Sequence, residues 1–213
     1  MRMTSDDQSF SRPDGSLPGT PPMLAALEHY WRDLRGAQRL PVRRAVDPGR
    51  IDAALPHAFI LERIAPGVAR FRVTGQKINE MLGLDGRGML FDALFADATA
   101  PAAAQWADQA FATPAIVELA LLTPRRLLAE RHEARLLLLP LTGRDGTVSR
   151  ALGAIEGTKA ESVGMRRWMI DPLPVRVTEL GPARPRLIAV RSGITKKTRR
   201  GARPALRLVI SND

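Results

Sequence analysis

Residues 57–90 constrain the fold of this chain most, because they predict a strand, a tight turn, a second strand, a short helix and a glycine-rich loop in direct succession. In the second strand Ala69, Phe71 and Val73 alternate with polar residues, a period of two that is typical of a sheet with one buried and one wet face. The dipeptide Pro66-Gly67 predicts the turn between the strands. This order of elements indicates an α+β domain.

The short helix is predicted by Ile78, Met81 and Leu82, which share one helical face, and Gly83 is expected to end it. The loop that follows, residues 83–90, has the glycine content of a phosphate loop. It lacks the GK[ST] ending and the preceding strand that such a loop needs to bind phosphate through backbone amides. We therefore interpret its glycines as positions that permit a positive φ.

Composition limits the possible classes of protein. With 213 residues and 45% hydrophobic residues, the chain can bury one core of about 100 to 150 residues. It has no cysteine, which excludes disulfides, thiolate metal sites and cysteine nucleophiles. Residues 1–20 are polar and rich in turn formers, so we expect a disordered N-terminus, and no run approaches the roughly 18 apolar residues of a membrane span. A cytoplasmic location is expected.

The net charge of +10 is concentrated near the C-terminus. Residues 159–213 hold 13 Lys and Arg against 4 Asp and Glu, whereas the rest of the chain is nearly neutral. We interpret 159–213 as a basic tail that its prolines, Pro172, Pro174, Pro182, Pro185 and Pro204, break into short pieces, although RLIAV and ALRLVI could each add a strand or pack on the domain. Two interpretations stay open: a solvated tail, or an arm that binds nucleic acid or an anionic surface. Its densest part contains Lys196, Lys197, Arg199, Arg200 and Arg203.

An amphipathic helix is predicted over residues 23–36, ahead of the strands. Its apolar seam consists of Leu24, Leu27, Trp31 and Leu34, at spacings of three, four and three. Two roles compete for this seam: the helix caps the outer face of its own sheet, or it pairs with its twin in a dimer. We predict capping combined with dimerisation.

The remaining elements complete an antiparallel pattern. Asp47 and Pro48 predict a short helix, residues 89–96 a short apolar helical face, and residues 99–111 a longer helix. Three strands are predicted to begin at Ala115, His132 and Val148, and the sequence GRDG predicts a hairpin turn between the last two.

Segregated strands and helices of this kind indicate an α+β fold with an antiparallel sheet. Because the strand from His132 contains four successive leucines, it is expected to be covered on both faces, by the flanking helix or by a second subunit. One domain over residues 21–158 is predicted.

With its elements in this order, the segment from about residue 27 to residue 157 resembles a PAS domain, and more narrowly the stand-alone PAS family of alphaproteobacteria. The resemblance rests on YWRDLRG, on LP, on DPGRIDAALPHAFILERIAPGVARFRVTGQKINEMLGLDGRGM, and on PAIVEL, EARLLLLPL and VSRALGAIEG. It implies a five-stranded antiparallel sheet in the order 2-1-5-4-3 with short helices cupped over one face. Related domains bind small ligands in that cup, or use the other face of the sheet to dimerise and to bind partners.

Candidate sites for chemistry are few. No metal-ligand spacing joins His29, His57 and His132, and a GxSxG nucleophile motif is absent, so an enzyme is not expected. Flavin photosensor relatives need a cysteine that this chain lacks, and haem relatives usually need a histidine near Trp106, where residues 96–113 have none. We therefore expect no cofactor, although a non-covalent small ligand stays possible. The ligand cup is predicted to be lined by some of Phe59, Leu61, Phe71, Ile78, Met81, Leu82, Phe91, Phe95, Trp106 and Leu137.

The alternative for these side chains is that they simply fill the core. A regulatory module that acts through homodimerisation and a protein partner is the function that the sequence favours, because the chain carries no recognisable output element. A small-molecule sensor and a tail that binds nucleic acid or an anionic surface are the alternatives.

Overall fold

The computed structural model describes residues 17, 19–125, 131–157 and 167–181. Its elements follow one another as three α-helices and six strands joined by short 3-10 turns. The helices are α1 (Pro22–Arg35), α2 (Gln76–Leu82) and α3 (Ala100–Ala112). The strands are β1 (Ala58–Ala65), β2 (Val68–Thr74), β3 (Ala115–Leu122), β4 (Glu133–Thr142), β5 (Val148–Gly157) and β6 (Met169–Glu179). The 3-10 turns are Arg43–Ala45, Pro48–Arg50, Asp52–His57 and Phe91–Leu94.

The strands form one antiparallel sheet in the order β2-β1-β5-β4-β3-β6. The predicted α+β class and the order 2-1-5-4-3 are confirmed, but the sheet has six strands where five were expected. The sixth, β6, pairs with β3 from Ala115↔Glu179 to Leu122↔Met169. The interpretation of residues 159–213 as a tail outside the domain is therefore wrong for β6.

Proline explains why β6 was missed. Pro172 and Pro174 cannot donate ladder hydrogen bonds, so they predict a break in any central strand. In the structure they lie on an edge strand, at a register shift between Leu119 and Leu121 of β3. Residues on the unpaired side of an edge strand need no ladder donor. The expectation that proline interrupts a strand holds for central strands, and it is wrong for β6 because β6 lies at the edge of the sheet.

The two faces of the sheet carry separate hydrophobic clusters. The inner cluster lies between the sheet and α2, α3 and the Phe91–Leu94 turn, and the outer cluster lies between the sheet and α1 with the segment around residues 40–54. β4 contributes to both, since Leu136 and Leu138 belong to the inner cluster and Leu137 and Leu139 to the outer one. The prediction that this strand is covered on both faces is confirmed, and α1 of the same chain is part of the cover.

A β-bulge in β2 changes one predicted side-chain direction. Ala69 and Phe71 face the inner cluster as expected, but Val73 is exposed. The pairing with β1 shifts between Leu61↔Phe71 and Ile60↔Val73, so that Arg72 is an extra residue. An extra residue switches the face of everything beyond it. Val73 therefore lies on the outer face beside Ile60, and its predicted burial is wrong.

The local signals for α2 are confirmed. Ile78 and Met81 are buried, and Gly83 ends the helix at φ 78°, a left-handed conformation that favours glycine. Gly88 in the following loop also has a positive φ. The segment after Asp47 forms the predicted short helix in 3-10 geometry, over Pro48–Arg50 and Asp52–His57, with the Asp47 carboxylate accepting a hydrogen bond from the Gly49 amide at its start.

Candidate functional site

Four phenylalanine rings pack in the cup on the inner face and are joined by successive ring contacts. The centroids of Phe59 and Phe71 are 5.3 Å apart, those of Phe71 and Phe91 5.9 Å, and those of Phe91 and Phe95 5.2 Å, with edge-on geometries. Separations of this size are those of favourable aromatic pairs. Because the rings come from β1, β2 and the turn after the glycine-rich loop, their contact ties the strands to the helical layer.

A glycine in the sheet makes room for the central ring. Gly153 of β5 pairs directly with Phe59 of β1. A Cβ atom at Gly153 would lie 2.3 Å from the Phe59 ring, far inside contact distance. The ring therefore lies over the backbone of the neighbouring strand, and the space that a side chain would take at residue 153 is used by the aromatic cluster.

The structure brings most of the predicted cup residues together. Seven of them are buried in the inner cluster: Phe59, Leu61, Phe71, Ile78, Met81, Phe91 and Phe95. Leu82 and Trp106 are partly buried against that cluster. Leu137 is a correction: it lies in the outer cluster, because side chains alternate along β4 and Leu136 and Leu138 take the inner positions.

Trp168, a residue that sequence reasoning left in the tail, is part of the cup. Its backbone N–H donates to the Leu94 carbonyl at 2.8 Å, and its own carbonyl accepts from the Ala96 amide at 2.8 Å. The indole is buried in the inner cluster. Its Nε1 has no hydrogen-bond partner within the described part of the chain. A large apolar side chain in an otherwise basic segment was the available signal for this burial.

The predicted seam of α1 packs against the sheet of its own chain. Leu24, Leu27 and Trp31 are buried in the outer cluster, and Leu34 is partly buried against it. The Trp31 Nε1–H donates to the Pro140 carbonyl of β4 at 3.0 Å. Of the two roles predicted for the seam, capping of the sheet is the one that these contacts satisfy.

Beside this seam α1 carries a buried ionic cluster, which we call the polar lock and define as Thr20, Glu28, Glu118 and Arg176. The side chains come from the segment before α1, from α1, from β3 and from β6. The Arg176 Nε donates to Glu118 at 2.9 Å, its Nη1 donates to Glu28 at 3.1 Å, and the Thr20 hydroxyl donates to Glu118. Glu118 is 0% exposed, Glu28 4% and Arg176 8%. The lock joins α1 to the edge of the sheet.

The electrostatics of the lock favour the charged guanidinium. Burial alone would lower the pKa of Arg176, but the hydrogen bonds and charges of Glu28 and Glu118 outweigh it and raise that pKa above its ordinary value. Arg32 of α1 adds a further hydrogen bond to Glu28 at 2.6 Å. Two carboxylates therefore share two guanidiniums, as buried charges require if they are to be tolerated.

Sequence reasoning did not single out these groups. Glu118 interrupts an otherwise apolar strand, and a carboxylate in such a strand needs a partner. The sequence therefore indicates that Glu118 has a charged or polar partner, but not which residue it is. The prediction of a disordered segment over residues 1–20 needs a correction at its end, because Thr20 is buried in the lock; residues 1–16 and Pro18 lie outside the described residues.

A second ionic cluster lies on the outer face where α1 does not reach. The Glu62 carboxylate accepts hydrogen bonds or ion pairs from Arg70 at 2.9 Å and Arg150 at 2.6 Å, with Arg72 at 3.5 Å. Partial burial would raise the pKa of Glu62, but the Arg70 hydrogen bond and the three positive charges outweigh it and lower that pKa. This cluster is half open to solvent and differs in that respect from the polar lock.

The histidines do not converge. His57 Nδ1 lies 3.0 Å from the Ile155 carbonyl, and His29 lies 3.7 Å from Asp33 on the exposed side of α1. Among residues 19–125, 131–157 and 167–181 no group of three metal-ligating side chains forms. In the same ranges no helix is long and apolar enough to cross a membrane. The basic-tail residues Lys196, Lys197, Arg199, Arg200 and Arg203 lie outside the described residues.

Comparison with known families gives one match. The family model described as PAS domain matches residues 20–156, which is more than half of the chain. The match ends before Trp168 and β6, so both lie outside the matched residues. No curated protein and no solved structure matches the chain at a significant level.

Proposed function

The chain belongs to the PAS domain family, whose members are sensory and regulatory modules, and we propose that it is a non-catalytic regulatory module that acts through homodimerisation and contact with a protein partner. The observation that carries the proposal is the packed cup. Phe59, Phe71, Phe91 and Phe95 pack their rings inside the cup, which is where the resemblance to related domains would place a ligand. A module with a filled cup conveys a signal through its surface.

A shallow groove beside α1 supplies a surface of suitable character. It has a volume of about 110 Å³ and runs between α1 and the 3-10 turns. Met23, Ala26 and Tyr30 form its helical wall, with Arg50 stacked over the Tyr30 ring at 5.1 Å. Tyrosine, methionine and arginine are the residue types that protein interfaces favour.

We assign a second copy of this chain as the occupant of the groove. Arg50 and Asp52 both line it and are both exposed, so the groove has one positive and one negative group on the same wall. In a two-fold interface each surface meets itself, and Arg50 of one copy can therefore approach Asp52 of the other. The exposed side of α1, with Ala26 near its centre, would lie in this interface while the buried seam stays on its own sheet.

Non-denaturing mass spectrometry of the untagged full-length protein tests the proposal. We expect a dimer with no added mass in the wild type. Ala26→Arg should give a monomer, because Ala26 is exposed and a long charged side chain there blocks close approach without entering the core. Ala98→Arg is the matched control, since Ala98 is exposed in the loop before α3 and should leave the dimer intact. A wild-type monomer, or a dimer that both variants retain, would contradict the assignment.

A small-molecule sensor is a second candidate, and one observation favours it. The Trp168 indole N–H is buried in the inner cluster and has no acceptor among the described residues. Buried donors without partners are rare, and a ligand or water acceptor would satisfy this one. The same mass spectrum decides, because a reproducible extra mass that is lost on denaturation would support the sensor over the contact module.

A further inference from the structure

A second, larger groove lies where the connection after α1 meets the turn between β4 and β5. Its volume is about 640 Å³. It is lined by Val42, Arg43, Arg44, Gly143 and Arg144. Of the described residues that line the groove, three are arginines and none is a carboxylate. The groove is therefore strongly positive.

The backbone holds both walls of the groove in place. Val42 forms a parallel bridge with Thr142 at the end of β4, and the Thr142 amide donates to the Pro41 carbonyl at 3.0 Å. On the other wall the Gly143 amide donates to the Thr147 carbonyl at 2.8 Å and closes the hairpin turn. The bridge sets Arg43 and Arg44 opposite Arg144, on two segments whose ends are hydrogen-bonded.

The carboxylates nearest to these arginines in sequence are directed to their own turns. Asp145 accepts hydrogen bonds from the Thr147 amide at 3.2 Å and from its hydroxyl at 2.9 Å. Asp47 accepts from the Gly49 amide at 3.0 Å. Both carboxylates stabilise local backbone and neither forms an ion pair with Arg43, Arg44 or Arg144 in the described structure.

Several other arginines of the domain have their charge neutralised by a carboxylate. Within the described residues, carboxylate contacts are seen for Arg32, Arg63, Arg70, Arg72, Arg150, Arg167 and Arg176. Within the described ranges Arg43, Arg44 and Arg144 have no such contact, although they surround one concave space. Positive charges that line one groove repel one another, and their summed field attracts anions to it.

We propose that this groove binds a small molecule that carries two or more adjacent phosphate groups. Guanidinium groups bind phosphate oxygens in pairs of hydrogen bonds, and three of them on two walls match a chain of phosphates better than a single one. The volume lies within the range of about 300 to 1,000 Å³ that is typical of small-molecule pockets. This site goes beyond the proposed contact function and does not depend on it.

Titration calorimetry of the full-length protein with pyrophosphate and with ATP tests the site. The triple variant Arg43→Gln, Arg44→Gln, Arg144→Gln should bind both probes at least about tenfold more weakly than the wild type. The loss of a single hydrogen bond between a guanidinium and a phosphate already weakens binding by about tenfold or more. The control triple Arg87→Gln, Arg125→Gln, Arg131→Gln removes the same charge from exposed arginines that do not line the groove. It should bind like the wild type.

Three results would overturn the site. Equal weakening in both triple variants would mean attraction to the net charge alone, and undiminished binding in the groove variant would place the phosphates elsewhere on the chain. Binding of an oligoglutamate peptide but of neither phosphate probe would assign the groove to an acidic protein segment. The thermal unfolding temperatures of both variants should equal that of the wild type, which shows that any loss of binding is not caused by unfolding.

Discussion

The centre of the inner face of the sheet is packed by rings and aliphatic side chains, whereas the outer face buries two carboxylates and a guanidinium beneath α1. Apolar packing is non-directional and depends on shape, so the inner layer is held by the fit of Phe59 and its neighbours. The polar lock depends on specific partners from four segments, and it fixes where α1 lies along the sheet. The inner layer is therefore held by apolar packing, whereas the attachment of α1 combines its apolar seam with ionic partners.

The strongest way to break the inner layer is Phe59→Ala. Removal of the ring leaves a cavity against Phe71, Phe91 and the backbone of Gly153, and a large-to-small change of this kind costs about 3–5 kcal/mol of unfolding free energy. Denaturant unfolding measures it. Val73→Ala on the exposed side of β2 is the control and should change stability by about 0.5 kcal/mol or less. Equal losses in the two variants would contradict the assignment of Phe59 to the core.

In the outer layer, Arg176→Met should lower the free energy of unfolding by about 3 kcal/mol, which is the low end of the range for a broken buried ion pair. Glu28 and Glu118 lose their shared partner, although Arg32 and Thr20 still donate to them. Denaturant unfolding again gives the figure. Arg167→Met is the matched control, because the Arg167 pair with Asp97 is exposed and such pairs contribute about 0–1 kcal/mol. A variant as stable as this control would show that the lock does not hold α1.

The half-open Glu62 cluster should give the smallest effect and a dependence on pH. Because the pKa of Glu62 is lower in the folded chain than in the unfolded one, its contribution is present above the ordinary carboxyl range and is lost as the pH falls through the folded value. Glu62→Gln should lower stability at pH 7 by about 1 kcal/mol or less. It should also make the loss of stability below about pH 4.3 less steep.

Thermal unfolding from pH 7 to pH 3 measures both effects. Val73→Ala, on the same face of the sheet, removes no titratable group and is the control. If Glu62→Gln loses stability at low pH as steeply as the wild type, the ion pairs of Glu62 do not contribute to stability as proposed.

The contrast between the layers also explains what the sequence predicted. Periodicity found β1 to β5, α1 and most cup residues, because apolar spacing is a local property that survives into the fold. The polar lock joins residues 20, 28, 118 and 176, and no local pattern reports which distant charge will meet Glu118. The sequence did not predict β6, because its prolines are tolerated only in an edge strand. It did not predict the exposure of Val73, because the bulge that turns this side chain outward is seen only in the strand pairing.

Hydrogen exchange read by mass spectrometry, on the wild type and on Arg176→Met, tests most directly the claim that the lock helps to hold α1 while the inner layer does not depend on it. We predict that the variant exchanges faster in α1 and β6 while α3 and β5 keep their wild-type protection, because local opening follows the contacts that are lost. A uniform rise across α1, α3 and β5 would contradict the account, since the two layers would then open as one unit.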